Sequence, residues 1–327
     1  MSLSQMEVFN KYFMPATIDT LAQMVDKFNA ASNGTIVLTT EGFEGDFVMT
    51  SFFKNLSSAR RRVDRYATNN AVTPIDLSQD KFVAVKIAGG FGPVRYEPSQ
   101  MTWLNKPTAE GVEVASRAFA ELLLQDQLNT VIAALAAAIG NQGTAATVDV
   151  SATKKVDYLA VNESHALFGD HSSQIAAQVM DGIQYHNFIA LNLTNAQTLF
   201  QAGNVRVVDI LGRPSVVTDA PALFTAAGAD PVTDPALRRV LSLTSAAALV
   251  RDPRNLVTNI ETSNGKERIE TTLQIDYDFT VGLKGYAWDM TNGGKSPTDQ
   301  EIGTGTNWDM VVSSIKHTAG VMAVGQA

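Results

Sequence analysis

The chain has 327 residues, 45% of them hydrophobic, which suffices for a large core and allows one big domain or two to three smaller ones. It has no cysteine, which excludes disulfides, thiolate zinc sites and cysteine nucleophiles and suits a reducing compartment. The net charge of −8 excludes a general nucleic-acid binder, which carries a basic excess.

The charge is unevenly spread. Residues 1–106 carry 11 Lys+Arg and 10 Asp+Glu, whereas residues 107–327 carry 14 and 23. This contrast is either a means for one copy to dock on another or ordinary variation. The opening MSLSQMEVFNKYFMP lacks a basic stretch followed by a continuous apolar one, so no signal peptide is expected. No uninterrupted apolar run reaches the roughly 18 residues of a membrane helix, so no membrane partner is expected either.

Residues 4–30 read as helix. Met6, Phe9, Phe13, Ile18, Leu21, Met24, Val25 and Phe28 recur at three- and four-residue spacing, with a break or kink at Pro15 and a stop at Ser32-Asn33-Gly34. Such a stripe either folds back on the core or lies on a neighbour. TIVLTT (Thr35–Thr40) follows as a short strand. LSSARRRVDRY (Leu56–Tyr66) is a basic knot of Arg60, Arg61, Arg62 and Arg65. It is either a contact with nucleic acid or a partner's carboxylates, or a solvated surface. Residues 72–104 read as a hairpin: KFVAVKI (Lys81–Ile87), a turn at GGFGP where Gly89 and Gly90 accept positive φ, and a return along VRYEPSQMTWL. The glycines do not fit a phosphate loop, which needs GxxxxGK[ST].

Residues 107–139 predict one helix. Ala115, Phe119, Leu122 and Leu123 begin a stripe that Leu128, Val131, Ile132, Leu135 and Ile139 continue. At ~1.5 Å per residue it makes a rod of roughly 45 Å. Its heptads are too irregular for a coiled coil, which leaves a structural spine or a bundle member.

From about residue 155 the texture becomes short alternating segments. Val156–Val161 predicts a buried strand, Ser172–Met180 a helix, and Thr194–Gly203 a helix opened by a Thr194…Gln197 capping box. Asn204–Leu223 reads strand, tight turn, strand, then a helix or turn, and RRVLSL (Arg238–Leu243) a further strand. Then comes a long antiparallel pair, turning at Asn264-Gly265 as a type I′ hairpin. In its second arm Leu273, Ile275, Tyr277, Phe279, Val281 and Leu283 alternate with Gln274, Asp276, Asp278, Thr280 and Lys284. That pattern gives one buried and one wet face. The tail is turn-rich and ends weakly apolar.

Catalytic chemistry finds no foothold. The histidines, His165, His171, His186 and His317, form no HExxH, and Asp170 between the first two lacks a third partner for a metal. There is no GxSxG elbow. No catalytic residue, cofactor or metal is expected, and the profile is that of a protein whose work is contact.

The order of parts resembles that of the major capsid proteins of tailed bacteriophages, whose α+β fold is named HK97-like. LGRPSVVTDAPAL (Leu211–Leu223) resembles the family's G-x-P-v-v-v-t-D stretch, and Leu249–Asp289 its closing E…G…eri…d-y-d-f-x-v-x-x-k-G-y-x-W segment. The resemblance implies an N-terminal arm at residues 1–45 and an extended hairpin loop at 46–106, with its tip near Gly89–Pro93. It implies a peripheral domain with the spine helix at 107–155, an axial domain at 156–253, and return strands of the peripheral domain with the tail at 254–327. It implies assembly into hexameric and pentameric capsomers of an icosahedral shell around double-stranded DNA, enclosed without sequence recognition. Scaffolding, portal and decoration proteins would be partners, and assembly would occur in the host cytoplasm. Arg60, Arg61, Arg62, Arg65, Gly89 and Gly90 are the candidate intersubunit or DNA-facing positions. The family's cross-linking branch uses a loop lysine; Lys81 and Lys86 fall in that region, and nothing in the sequence carries the reaction. An α/β enzyme with a helical appendage, or a tail-tube protein, are the competing readings.

Overall fold

The computed structural model describes residues 15–26, 28–29, 32–39, 45–54, 60–68, 71–74, 78–96, 108–195, 213–229, 234–253, 255–265, 267 and 269–327. Residues 15–26 form helix α1, whose Leu21 and Val25 are buried. The part of the predicted helix before Pro15 lies outside the described residues. Strands β1 (Ile36–Thr39), β2 (Phe47–Lys54) and β3 (Ser78–Tyr96) precede helix α2 (Thr108–Gly140). After α2 come β4 (Thr147–Asp149), α3 (Tyr158–Ala166), β5 (Ile175–Met180), α4 (Gly182–Asn195), β6 (Ser215–Val217), β7 (Phe224–Thr225) and β8 (Leu237–Thr244). The remainder is β9 (Ala248–Arg251), β10 (Val257–Ser263), β11 (Glu270–Leu283), β12 (Tyr286–Trp288), α5 (Asp299–Ile302), β13 (Trp308–Met310) and β14 (Gly320–Gln326).

Two sheets organise these elements. The first has strand order β1-β9-β11-β3-β2, with β10 also paired to β11; the second has order β4-β14-β8-β5-β6, with β7 paired to β8. Helix α2 is unbroken over 33 residues. Its C-terminal half buries Val131, Ile132, Ala134, Leu135, Ala138 and Ile139 in one core with Val281 and Phe279 of the first sheet and Leu241, Leu243 and Met322 of the second. Leu122, expected in the buried stripe, is 49% exposed. Ser116–Gly140 has the length and apolarity of a membrane-crossing helix even though no uninterrupted run does. Glu121 and Asp126 interrupt the run without lowering its mean much, and the buried side chains pack on the sheets.

Several expectations change. GGFGP is no turn: β3 runs straight through it for 19 residues, with Gly89 opposite Tyr277 and Gly90 opposite Asp276. The hairpin partner of β3 is β2, and the connection between them is residues 55–77. Asn264 and Gly265 lie in the β10–β11 connection, but pairing ends at Ser263↔Glu270, so six residues separate the strands instead of two. Val156–Val161 is mostly helix α3. Asp157 caps it, accepting from the Ala160 N–H at 2.8 Å, and this local bond overrides the β-propensity of the valines. Ser172–Met180 is the end of a 3₁₀ turn and then strand β5, buried on both faces. Burial on both faces gives an apolar run with no period to read. Thr194 stands near the end of α4, which the sequence did not announce, and the rest of that predicted helix lies outside the described residues. The weakly apolar end is β14, six of whose seven residues are buried. It lies in the second sheet between β4 and β8, beside strands from residues 156–253.

Candidate functional site

The face of β11 turned to α2 is where two extended elements become one plate. Alternation puts Ile275, Tyr277, Phe279, Val281 and Leu283 inside. The Tyr277 hydroxyl donates to Asp126 Oδ2 of α2 at 2.6 Å, and Gln127 Nε2 donates to Asp252 Oδ2 at 2.6 Å. Burial raises the Asp126 carboxyl above the usual carboxylate range, although the Tyr277 hydrogen bond pulls it down. Burial likewise raises the Tyr277 phenol, with Asp126 adding to it. Phe91 of β3 stacks on Tyr277 at 5.5 Å and meets Phe119 of α2 edge-on at 5.3 Å, so three elements share one aromatic cluster.

That cluster explains the glycines. A Cβ on Gly89 would stand 2.7 Å from the Tyr277 ring, and one on Gly90 would stand 2.8 Å from Asp276 Oδ1. Gly89 and Gly90 therefore make room within the sheet and form no loop tip. On the expected wet face of β11, Gln274 and Asp276 are exposed, but Thr280 is buried. Asp276 accepts from Gln274, and Asp278 pairs with Lys86 at 2.5 Å.

On the face away from α2 a row crosses five strands. Val37 of β1 lies opposite Leu249 of β9, Leu249 opposite Gly282 of β11, Gly282 beside Ala84 of β3, and Ala84 opposite Val48 of β2. The small residues at its centre leave an open apolar groove of about 370 Å³, rimmed by Lys284 and Arg251. Sequence reading missed it. The one signal available was Gly282 standing among the polar positions of β11.

The four arginines lie on the connection between β2 and β3. Arg60, Arg61, Arg62 and Arg65 are exposed and have no ion pair among the described residues, and Val63 and Tyr66 beside them are 68% and 93% exposed. The segment therefore exposes basic and apolar side chains side by side. The structure does not bring it to Gly89 and Gly90.

The second sheet holds a buried polar group. His165 of α3, 6% exposed, meets Ser242 Oγ of β8 through Nε2 at 2.9 Å and Arg213 Nη1 through Nδ1 at 2.8 Å. Asp181 pairs with Arg238, both nearly buried. His171 stands edge-on to His317 at 5.4 Å, and Asp170 pairs with Lys316 at 2.5 Å, so His165, His171 and Asp170 do not converge on a common point. Among the described residues no three His, Asp or Glu side chains gather as metal ligands.

Comparison with known proteins adds the following. A family model described as Gp13-like, major capsid protein 13-like, matches residues 5–322. No curated sequence matches the chain. Among solved structures the chain is similar to the cyanophage Pam1 capsid asymmetric unit, at 13% identity and a TM-score of 0.55, over 89% of this chain and 88% of that one. It is also similar to the capsid of Ralstonia phage GP4, at 12% identity and a TM-score of 0.49, over 91% and 88%. The first likeness speaks for the α+β fold alone.

Proposed function

Since the chain belongs to the major capsid protein 13-like family, and is thus a structural protein of a bacteriophage capsid shell, we propose how its parts serve that shell. The observation that carries the reading is the unbroken helix α2 with β11 laid along it, bonded through Asp126 and Tyr277. A rigid plate suits a closed shell, where many modest in-plane contacts repeat by symmetry. Copies join as hexameric and pentameric capsomers. Residues 1–45 serve as an arm and the region 46–106 as a loop reaching a neighbour. Residues 107–155 and the returning strands after 254 form the peripheral part, and 156–253 with β14 the axial part. The Arg60–Arg65 segment and the groove along Val37, Leu249 and Val48 are contact surfaces for a second copy. The protein carries out no catalysis. It is assembled in the host cytoplasm with separate scaffolding and portal proteins, accepts decoration proteins, and encloses double-stranded DNA without reading its sequence. An acidic chain suits that last role, because limited attraction leaves packaged DNA free to move.

Negative-stain imaging of the purified chain tests this. Capsomers are expected, and uniform shells from the chain alone would contradict the need for a scaffold, whereas a stable compact monomer whose melting responds to small-molecule ligands would favour an α/β enzyme.

A further inference from the structure

Arg213 is placed two residues before β6, an edge strand held to β5 by three residue pairs. Its guanidinium bridges two other elements. Nη1 donates to His165 Nδ1 at 2.8 Å, and Nη2 donates to the Ser172 carbonyl at 2.8 Å. A guanidinium only donates, so the imidazole must accept at Nδ1 and carry its proton on Nε2, facing Ser242 Oγ. The contact therefore exists only while His165 is neutral. A proton on Nδ1 removes the acceptor and sets two cations against each other at hydrogen-bond distance.

Among the described residues no carboxylate contacts His165 or Arg213. On α3 itself Glu163 is exposed, and on the following turn Asp170 is taken by Lys316 while His171 faces His317. On β8, Arg238 is paired with Asp181, and Arg239 is bonded to the Ala222 carbonyl and Thr225. On β4, Asp149 accepts from the Ser151 N–H, and β14 carries no titratable side chain. Ser242 and Ser172 contribute no charge.

We infer that the His165–Arg213 contact is an acid-released latch that fastens β6 to the rest of the second sheet at neutral pH and frees it when His165 takes up a proton. Burial, and then the Arg213 charge, lower the His165 pKa to about 4 from the ordinary 6.5. Release removes the Arg213 charge but leaves the imidazole buried against Ser242, so its pKa rises only part of the way toward 6.5, and opening takes up a proton at the acid end of that range. The latch is independent of the proposed shell role, since it concerns how one chain holds its own edge strand.

Hydrogen exchange of the full chain, corrected for intrinsic rates, reads it directly. Protection of residues 215–219 should fall as pH drops toward 4, by at most roughly tenfold per pH unit, the slope of one proton taken up on opening, while β8 stays protected. His165→Gln keeps an acceptor for Arg213 and cannot titrate, so its protection should be flat with pH. Equal pH dependence in this variant, or none in the natural chain, would overturn the latch. If His165→Gln does not fold, carbon-13 NMR of the natural chain decides. His165 should titrate well below the ordinary 6.5, and a midpoint near 6.5 would overturn the proposal equally.

Discussion

The Tyr277 hydroxyl and the Asp126 carboxylate, 151 positions apart, meet at 2.6 Å and tie strand β11 to helix α2. Tyr277→Phe removes the donor and leaves a half-buried carboxylate without it. A loss of about 1–3 kcal/mol is expected in urea unfolding of the full chain. A change below roughly 0.5 kcal/mol, the usual scatter of surface substitutions, would mean that packing alone joins the two elements.

Gly89→Ala places a methyl against the Tyr277 ring, which Phe91 holds from beside. Overpacking of this kind typically costs about 1–3 kcal/mol. Gly90→Ala meets chiefly the Asp276 carboxylate on the wet face, and that side chain can move. The first variant should melt clearly below the second. Equal melting temperatures would return both glycines to a mere turn preference.

Asp157→Ala removes the cap of α3 and should cost about 0.5–2 kcal/mol. Burial works to raise this carboxyl, but hydrogen bonds from Lys154 and the Ala160 N–H outweigh it and hold the group below its ordinary 3.8. A depressed carboxyl stabilises the fold above its unfolded value, and that stability is lost as pH falls through the folded one. The gap between natural chain and variant should therefore be constant at neutral pH and shrink below about pH 3.8. A gap that persists at lower pH would assign it to packing.

Reversing Arg60, Arg61, Arg62 and Arg65 to glutamate should leave stability within about 0.5 kcal/mol, because the four are exposed and have no ion pair among the described residues. Assembly, followed by sedimentation and imaging, should fall sharply. Shells of natural yield from the reversed protein would leave these arginines as solvated surface.

Helix α2 and strand β11 were legible because each keeps one period over many residues, α2 at 3.6 and β11 at 2, whereas β3, longer than β11 at 19 residues, reads as a hairpin. Their contact is a feature of the folded chain, which joins the two apolar faces in one core. What failed did so for identifiable reasons. Gly89 and Gly90 look like punctuation, but the demand for a missing Cβ comes from Tyr277 and Asp276, nearly 190 residues away. Val156 and Val161 favour strand, yet one capping carboxylate at Asp157 turned the segment helical. Strands β5 and β14 are buried on both faces, which erases alternation. The groove is a property of five strands in register, and no single segment contains it.

The place of β14 sets an order on the making of the molecule. Its neighbours β4 and β8 leave the ribosome well before it, and until it arrives β8 has one side of its backbone unpaired. At ~5–20 residues per second, the stretch from Thr244 to Gly320 takes roughly 4–15 s to synthesise. For that interval each nascent chain presents an open strand to other chains on the same message. Protection at that edge, by chaperones or by wide spacing of ribosomes, therefore governs how much protein reaches a usable state.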